Sequence, residues 1–369
     1  MSKRRGHDTD NHGKRSRPAH RKHLYLVLDD WKNGYSIRKI DPDDDDDEPS
    51  RPGHDPSRLP EPAALRVTER LNSDTRFVAM GSSDIVIPAP RERREADPGL
   101  RHGGGRTDRG PSAAGPPLLR LARRRGVDAV RADDMPASFE ALSWGACGTR
   151  DDEPGLPRTH EWSWKSVTSP QPPFGTNHDS SIVAYAVHPD RSTIFVSTRG
   201  EEEHPDSDVA TYSLDTKRGG QWRWHGAWVL PFQGQGYFDS ELDAWVGLDE
   251  VTGHVCACQV PSRRGTDDEP PESDALKEKL FGEDGEGTRS AVSLTYAGDG
   301  MFCLVESVFS QDWQPGYNDG HGQMVHVTVF GLKFNRRGEL VITNRNRRKV
   351  YSYVAPRYAP SFSPVAFLM

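Results

Sequence analysis

Three carboxylates, Asp239, Glu241 and Asp243, occupy every second position in the stretch "FDSELDAW". On an extended chain successive side chains point to opposite faces, so this spacing puts all three on one face. There they could line a channel and bind a cation, or share the roles of general acid and general base. The same pattern suits the solvated edge of a sheet, and that is the plainer expectation. His188 and Asp190, in "HPD", are a second pair of acid–base types. Because Pro and Asp both form turns and the flanking runs are apolar, a hairpin turn is expected there rather than a catalytic dyad.

Other chemistries fail on spacing. The stretch "GHDTDNHGKRS" sets Gly6 and Gly13 too far apart for a phosphate loop and carries Arg15 where a Mg²⁺-binding hydroxyl belongs. "GGGR" at Gly103–Arg106 lacks the strand and helix of a dinucleotide fingerprint, and no GxSxG elbow occurs. Cys147, Cys256, Cys258 and Cys303 show no zinc-ligand spacing. Cys256 and Cys258 lie on one face of a strand, where a mutual disulfide would be strained, so packed and reduced thiols are expected. No catalytic residue, metal or cofactor is assigned.

The elements that would position these residues are β-strands. With 35 Gly and 29 Pro in 369 residues, the composition favours a turn-rich domain over a helical bundle. "SIVAYAVHPDRSTIFVST" reads as two strands around the His-Pro-Asp turn, and "DVATYSLDTKRGGQWRWHGAWVLPF" as two more hinged at Asp215–Gly220. "YFDSELDAWVGLDEVTGHVCACQV" adds strands turning at Gly253, with Leu242, Ala244, Val246 and Leu248 on one face. Further strands turn at Gly298–Gly300, at Asn335–Gly338 and, near the start, at the Asn33–Gly34 dipeptide. One short helix is expected over Ser273–Phe281, with Leu276 and Leu280 on one side. "EWSWKSVTSPQPPF" and "QWRWHGAWVLPF" share Trp-x-Trp, a later Val and a Pro-Phe exit, so Trp162 and Trp164 repeat as Trp222 and Trp224. Each tryptophan pair is expected on the last strand of a blade, wedged against the neighbouring blade. The fold expected is all-β: an irregular kelch-like β-propeller of about five or six blades, with a two-sheet β-sandwich as the alternative.

Residues 1–22 are basic and form a disordered tail, 23–354 form the β domain, and 355–369 are a C-terminal tail. Residues 41–60, holding the acidic run "DPDDDDDEPS", are expected to be a disordered loop. Residues 88–132 are crowded with Arg, Gly, Ala and Pro and contain no Ile, Phe, Tyr or Trp. They read as an aberrant stretch, either a basic loop or an out-of-frame piece of a GC-rich gene.

"HLYLVLDDWKNGYSI", "AYAVHPDRSTIFVS", "GYFDSELDAWVGL", "FCLVES" and "TVFGLKFNRRGEL" resemble a plant family expanded in grasses. That family is known only as carrying a domain of unknown function. The resemblance implies a kelch-like β architecture and no established activity. The expected function is a non-catalytic protein-interaction module with an unidentified protein partner. A small-ligand binder or enzyme using the channel is one alternative, and a nuclear protein reaching nucleic acid through its basic tail is the other. "LYLVL" is too short for a membrane span and sits too late for a signal peptide, so a cytoplasmic or nuclear location is expected.

Overall fold

The computed structural model describes residues 23–30, 34–40, 57–67, 78–80, 84–86, 119–122, 138–146, 160–167, 173–174, 180–200, 209–216, 221–249, 253–265, 269–280, 289–308, 323–343, 349–355 and 363–368. Among them every regular element is a strand. The chain opens with β1 (Leu24–Asp29) and β2 (Tyr35–Ile40), an antiparallel hairpin whose turn holds Gly34 at a φ of 78°. Next come β3 (Ser57–Arg58), β4 (Leu65–Val67), and a small hairpin of β5 (Val78–Met80) and β6 (Asp84–Val86). A three-stranded sheet follows, of β7 (Leu119–Ala122), β8 (Ser138–Ala146) and β9 (His160–Val167).

Two antiparallel meanders come next. The first is β10 (Ser180–Val187), β11 (Thr193–Gly200), β12 (Ala210–Asp215) and β13 (Arg223–Gly226). The second is β14 (Gln233–Asp239), β15 (Ala244–Asp249), β16 (His254–Gln259) and β17 (Ser273–Ala275). The first strands of the two, β10 and β14, pair in parallel through Ala184–Ala186 and Gly234–Gly236. A third meander holds β18 (Arg289–Gly298), β19 (Met301–Val308), β20 (Gln323–Phe334) and β22 (Lys349–Ala355), with β21 (Leu340–Ile342) on the end of β20. The last strand, β23 (Val365–Leu368), returns to pair with β1, giving the order β23-β1-β2-β4.

Apolar residues run at successive rather than alternate positions in the central strands, which is the pattern of a sheet buried on both faces. In β15, Ala244, Val246 and Leu248 join one core cluster with Leu242, while Trp245 joins another. In β16, Val255 and Ala257 go with the first cluster, and Cys256 and Cys258 with the second. In β19, Phe302 and Leu304 pack toward the second meander, whereas Cys303 and Val305 pack against Leu24, Leu26 and Ala366. On the first meander, Phe195, Ala184 and Ala186 face the second, and Ile194, Val196 and Leu214 face Phe174 on the other side.

The Pro-Phe exits carry much of this packing. Phe232 lies so close over Gly236 and Gly247 that a Cβ would fall 2.2 Å and 2.3 Å from its ring. Only glycine permits that approach. Phe174 meets Trp222 edge-on at 5.1 Å between ring centroids and Tyr212 at 5.6 Å.

Several expectations are corrected. Of the expected helix Ser273–Phe281, the described residues 273–280 form none: Ser273–Ala275 is strand β17, bonded to β16, and Leu276 and Leu280 are buried beyond it outside any regular element. The sheet edge offers that backbone hydrogen-bond partners that a lone two-turn helix would forgo. The expected tail 355–369 contains β23, whose Ala366 and Phe367 are buried and whose Ala366 carbonyl accepts the Thr295 hydroxyl. The expected loop 41–60 ends in order, since β3 pairs with β22 and the Pro60 carbonyl accepts a 2.7 Å bond from Arg38. Within 88–132, residues Leu119–Ala122 form β7 and pair with β8. The basic tail 1–22 lies outside the described residues.

Candidate functional site

The hairpin turns of β10–β11 and β14–β15 lie at the same end of the molecule, because β10 and β14 run parallel. Both turns are organised by an aspartate. Asp190 Oδ1 accepts the backbone N–H groups of Ser192 and Thr193, each at 2.8 Å. Asp239 Oδ1 accepts those of Glu241 and Leu242, each at 2.9 Å. An aspartate that closes its own turn in this way satisfies backbone donors that a tight reversal would otherwise leave unpaired.

The two aspartates differ at the second oxygen. Asp190 Oδ2 receives the Thr193 hydroxyl at 2.8 Å and an Arg263 guanidinium nitrogen at 2.6 Å. Burial opposes ionisation of Asp190, yet these N–H and O–H donors and the neighbouring His188 hold its carboxyl well below the usual range. His188 accepts the Asp190 N–H on Nδ1 at 3.2 Å, and burial lowers its pKa against the pull of Asp190. Arg191, at a φ of 58°, completes the reversal. The His-Pro-Asp stretch is therefore a turn, as its residue types suggest.

Asp239 is fully buried, its Oδ2 is sealed from solvent, and the Tyr296 hydroxyl is hydrogen-bonded to its carboxylate. Tyr296, on β18, lies beside it. Burial, followed by the Asp239 charge, pushes that phenol up to about 12. Gly300, at a φ of 72° in the β18–β19 turn, presents its bare Cα to the same place. A side chain there would start 3.5 Å from Glu241 Oε2 and 3.8 Å from Asp239 Oδ2.

The expected single face of three carboxylates does not form. Asp239 ends β14, whereas Glu241 and Asp243 belong to the turn at 240–243, and Asp243 has a φ of 51°. The alternation rule applies only to extended chain, and here the chain reverses between the first and last of the three. Glu241 and Asp243 are exposed, so the solvated-edge reading fits these two and fails for Asp239. Sequence reasoning misses Arg263, Tyr296 and Gly300. Arg263 follows Asp190 by 73 residues, and no local pattern connects them.

Of the two tryptophan pairs, Trp162, Trp164 and Trp224 lie on strands at the edges of their sheets, and Trp222 precedes β13. Trp162 and Trp164 lie on β9, opposite Trp144 and Leu142, and Trp224 lies on β13, opposite Tyr212. Trp224 is 45% exposed, so its ring does not fill a joint between sheets. The phenylalanine exits do so instead. Trp222 is half-buried against Phe174.

Cys256, Cys258 and Cys303 are free and buried, and burial raises Cys256 and Cys303 to about 12. Among the described residues, no three His, Cys, Asp or Glu side chains gather as a metal set, and no helix is long and apolar enough to cross a membrane.

A family model described as "Protein of unknown function (DUF1668)" matches residues 21–94 and 121–351. The chain belongs to this family. Between those spans the match lapses at 95–120, and it resumes within β7. No curated protein and no solved structure matches the chain.

Proposed function

We propose that this DUF1668 chain is a β-propeller serving as a non-catalytic protein-interaction module. The propeller reading is supported by the succession of core clusters. One meander packs on the next, that one on the third, and the third on the sheet that β23 closes against β1. A two-sheet sandwich has one core between two inner faces and leaves its outer faces to water. Here the second and third meanders bury both faces, as blades do.

The observation that carries the interaction reading is Trp224. It is a large aromatic, 45% exposed, on edge strand β13 beside the exposed Arg223. Tryptophan and arginine are the residue types most enriched where protein contacts concentrate their binding energy. The polar groups best suited to catalysis have structural tasks instead: Asp190 and Asp239 close turns, and His188 supports one. Buried free thiols support a reducing compartment, and so a cytoplasmic or nuclear location.

The test is proximity labelling in cells with the wild type and Trp224→Ala, both checked by thermal melting. The expected result is an unchanged melt with loss of specific labelled proteins. Identical labelling by both proteins would refute the role of Trp224.

A further inference from the structure

We propose, resting on the interaction role of Trp224 above, that the partner lays an extended acidic segment along edge strand β13. Its carboxylates meet Arg223 and Arg264, and its apolar side chains cover Trp224. β13 ends its sheet, so one side of its backbone has no strand beside it among the described residues. Arg223 and Trp224 are consecutive on that strand, and both are exposed. Consecutive side chains of a strand point to opposite faces. A partner that reaches both lies along the open edge, and an extended segment placed there offers alternate residues to the two faces.

The segment after β16 brings further positive charge to the same place. Arg223 Nη1 donates to the Arg264 carbonyl at 3.1 Å, and Arg263 Nη1 donates to Asp190 Oδ2 at 2.6 Å. These two contacts tie residues 263–264 to β13 at one point and to the β10–β11 turn at another. Arg191, next to Asp190 in that turn, is exposed as well. Four arginines thus share one stretch of surface, and among the described residues only Arg263 of the four forms an ion pair. Of the carboxylates on the adjoining segments, Asp190 is taken by Arg263, and Glu272 accepts the Gln259 amide at 2.9 Å. Like charges gathered in this way repel, and an acidic ligand relieves the repulsion.

The charge distribution favours a short acidic segment over nucleic acid. The whole chain carries a net charge of −7, and that field repels a long polyanion. A short segment feels mainly the charges within about a Debye length, roughly 8–10 Å, and here those include the arginines. Guanidinium groups bind carboxylates through paired N–H bonds, which supplies direction as well as attraction.

The experiment follows the fluorescence anisotropy of a short fluorescein-labelled peptide, glutamate alternating with leucine, titrated with the full chain. The same peptide with lysine for glutamate and a labelled single-stranded DNA serve as comparisons. The variants are Arg264→Glu, Trp224→Ala and Arg336→Glu. Arg264 and Arg336 are exposed, so both charge reversals should melt like wild type. Arg336, in the β20–β21 turn, makes the same change of charge on another meander. The expected result is saturable binding of the glutamate peptide that weakens as salt is added. Binding should fall about tenfold or more in Arg264→Glu and in Trp224→Ala, and stay within about twofold in Arg336→Glu. No binding up to about 1 mM would overturn the proposal. So would binding that Arg264→Glu leaves undiminished, or tighter binding of the DNA or the lysine peptide. In the proximity labelling above, partners lost with Trp224→Ala but kept with Arg264→Glu would leave the interaction reading standing and overturn the acidic segment alone.

Discussion

Gly247→Ala should be destabilising in the wild type and harmless, or helpful, once Phe232 is removed. The added Cβ would lie 2.3 Å from Phe232 Cγ and 2.5 Å from its Cβ. Carbon atoms in contact prefer about 3.5–4.0 Å, so the ring or the strand must move by roughly 1 Å or more. Neither has room, because Phe232 packs among Trp228, Leu230, Trp245 and Cys256. Overpacking of this kind costs about 1–3 kcal/mol. Phe232→Ala alone should cost about 3–5 kcal/mol through lost contacts and the cavity left behind. In that background residue 247 has space, and Ala in a strand is better than Gly by about 0.5–1 kcal/mol. The two changes should therefore couple by about 1.5–4 kcal/mol. Urea unfolding of the four proteins, followed by tryptophan fluorescence, measures that coupling directly. Costs that add within about 0.5 kcal/mol would show that the Pro-Phe exit is not the joint between these sheets.

Two further outcomes follow from the same packing and from the turns. Trp245 is fully buried, donates its indole N–H to the Val187 carbonyl at 2.9 Å and meets Phe195 edge-on, so Trp245→Ala should cost about 3–5 kcal/mol in the same urea assay. Trp224→Ala, at an exposed ring, should stay within about 0.5 kcal/mol of wild type; equal losses at both sites would contradict the assignment of which tryptophan is structural. Asp190→Asn should flatten the acid limb of the stability profile. A depressed folded carboxyl contributes stability that is fully present above its unfolded value of 3.8 and is lost as pH falls toward the folded one. The wild type should therefore lose its advantage over the Asp190→Asn variant as pH drops below about 4, and an advantage constant from about pH 7 to about pH 2 would refute that origin.

The strands are legible in the sequence because their signals are local. Val-, Ile- and Phe-rich runs bounded by Asn-Gly, Pro-Asp or Gly-Asp-Gly fix hairpins within a short stretch of chain, and the β1–β2, β10–β11 and β18–β19 hairpins all form as their turns imply. The face shared by Leu242, Ala244, Val246 and Leu248 is equally readable. What stays hidden is non-local. Nothing near Val365–Leu368 shows that β1, at the other end of the chain, awaits a partner. The leucine spacing of Leu276 and Leu280 suits a helix, but the adjacent edge of β16 captures the chain as strand. A period of two in "FDSELDAW" runs through a reversal, so it groups the one buried carboxylate, Asp239, with two exposed ones. The partners that define the site, Tyr296 and Gly300, come from another meander.

The proposed propeller would be a ring closed where β23, the last strand, pairs with β1, the first. Native-state hydrogen exchange, read by mass spectrometry on peptides covering 24–29 and 365–368, tests it most directly. Closure predicts that both segments are strongly protected and open together, because Tyr25 and Phe367 sit opposite each other in one antiparallel ladder. Rapid exchange at 365–368 beside a protected 24–29 would contradict closure of the ring.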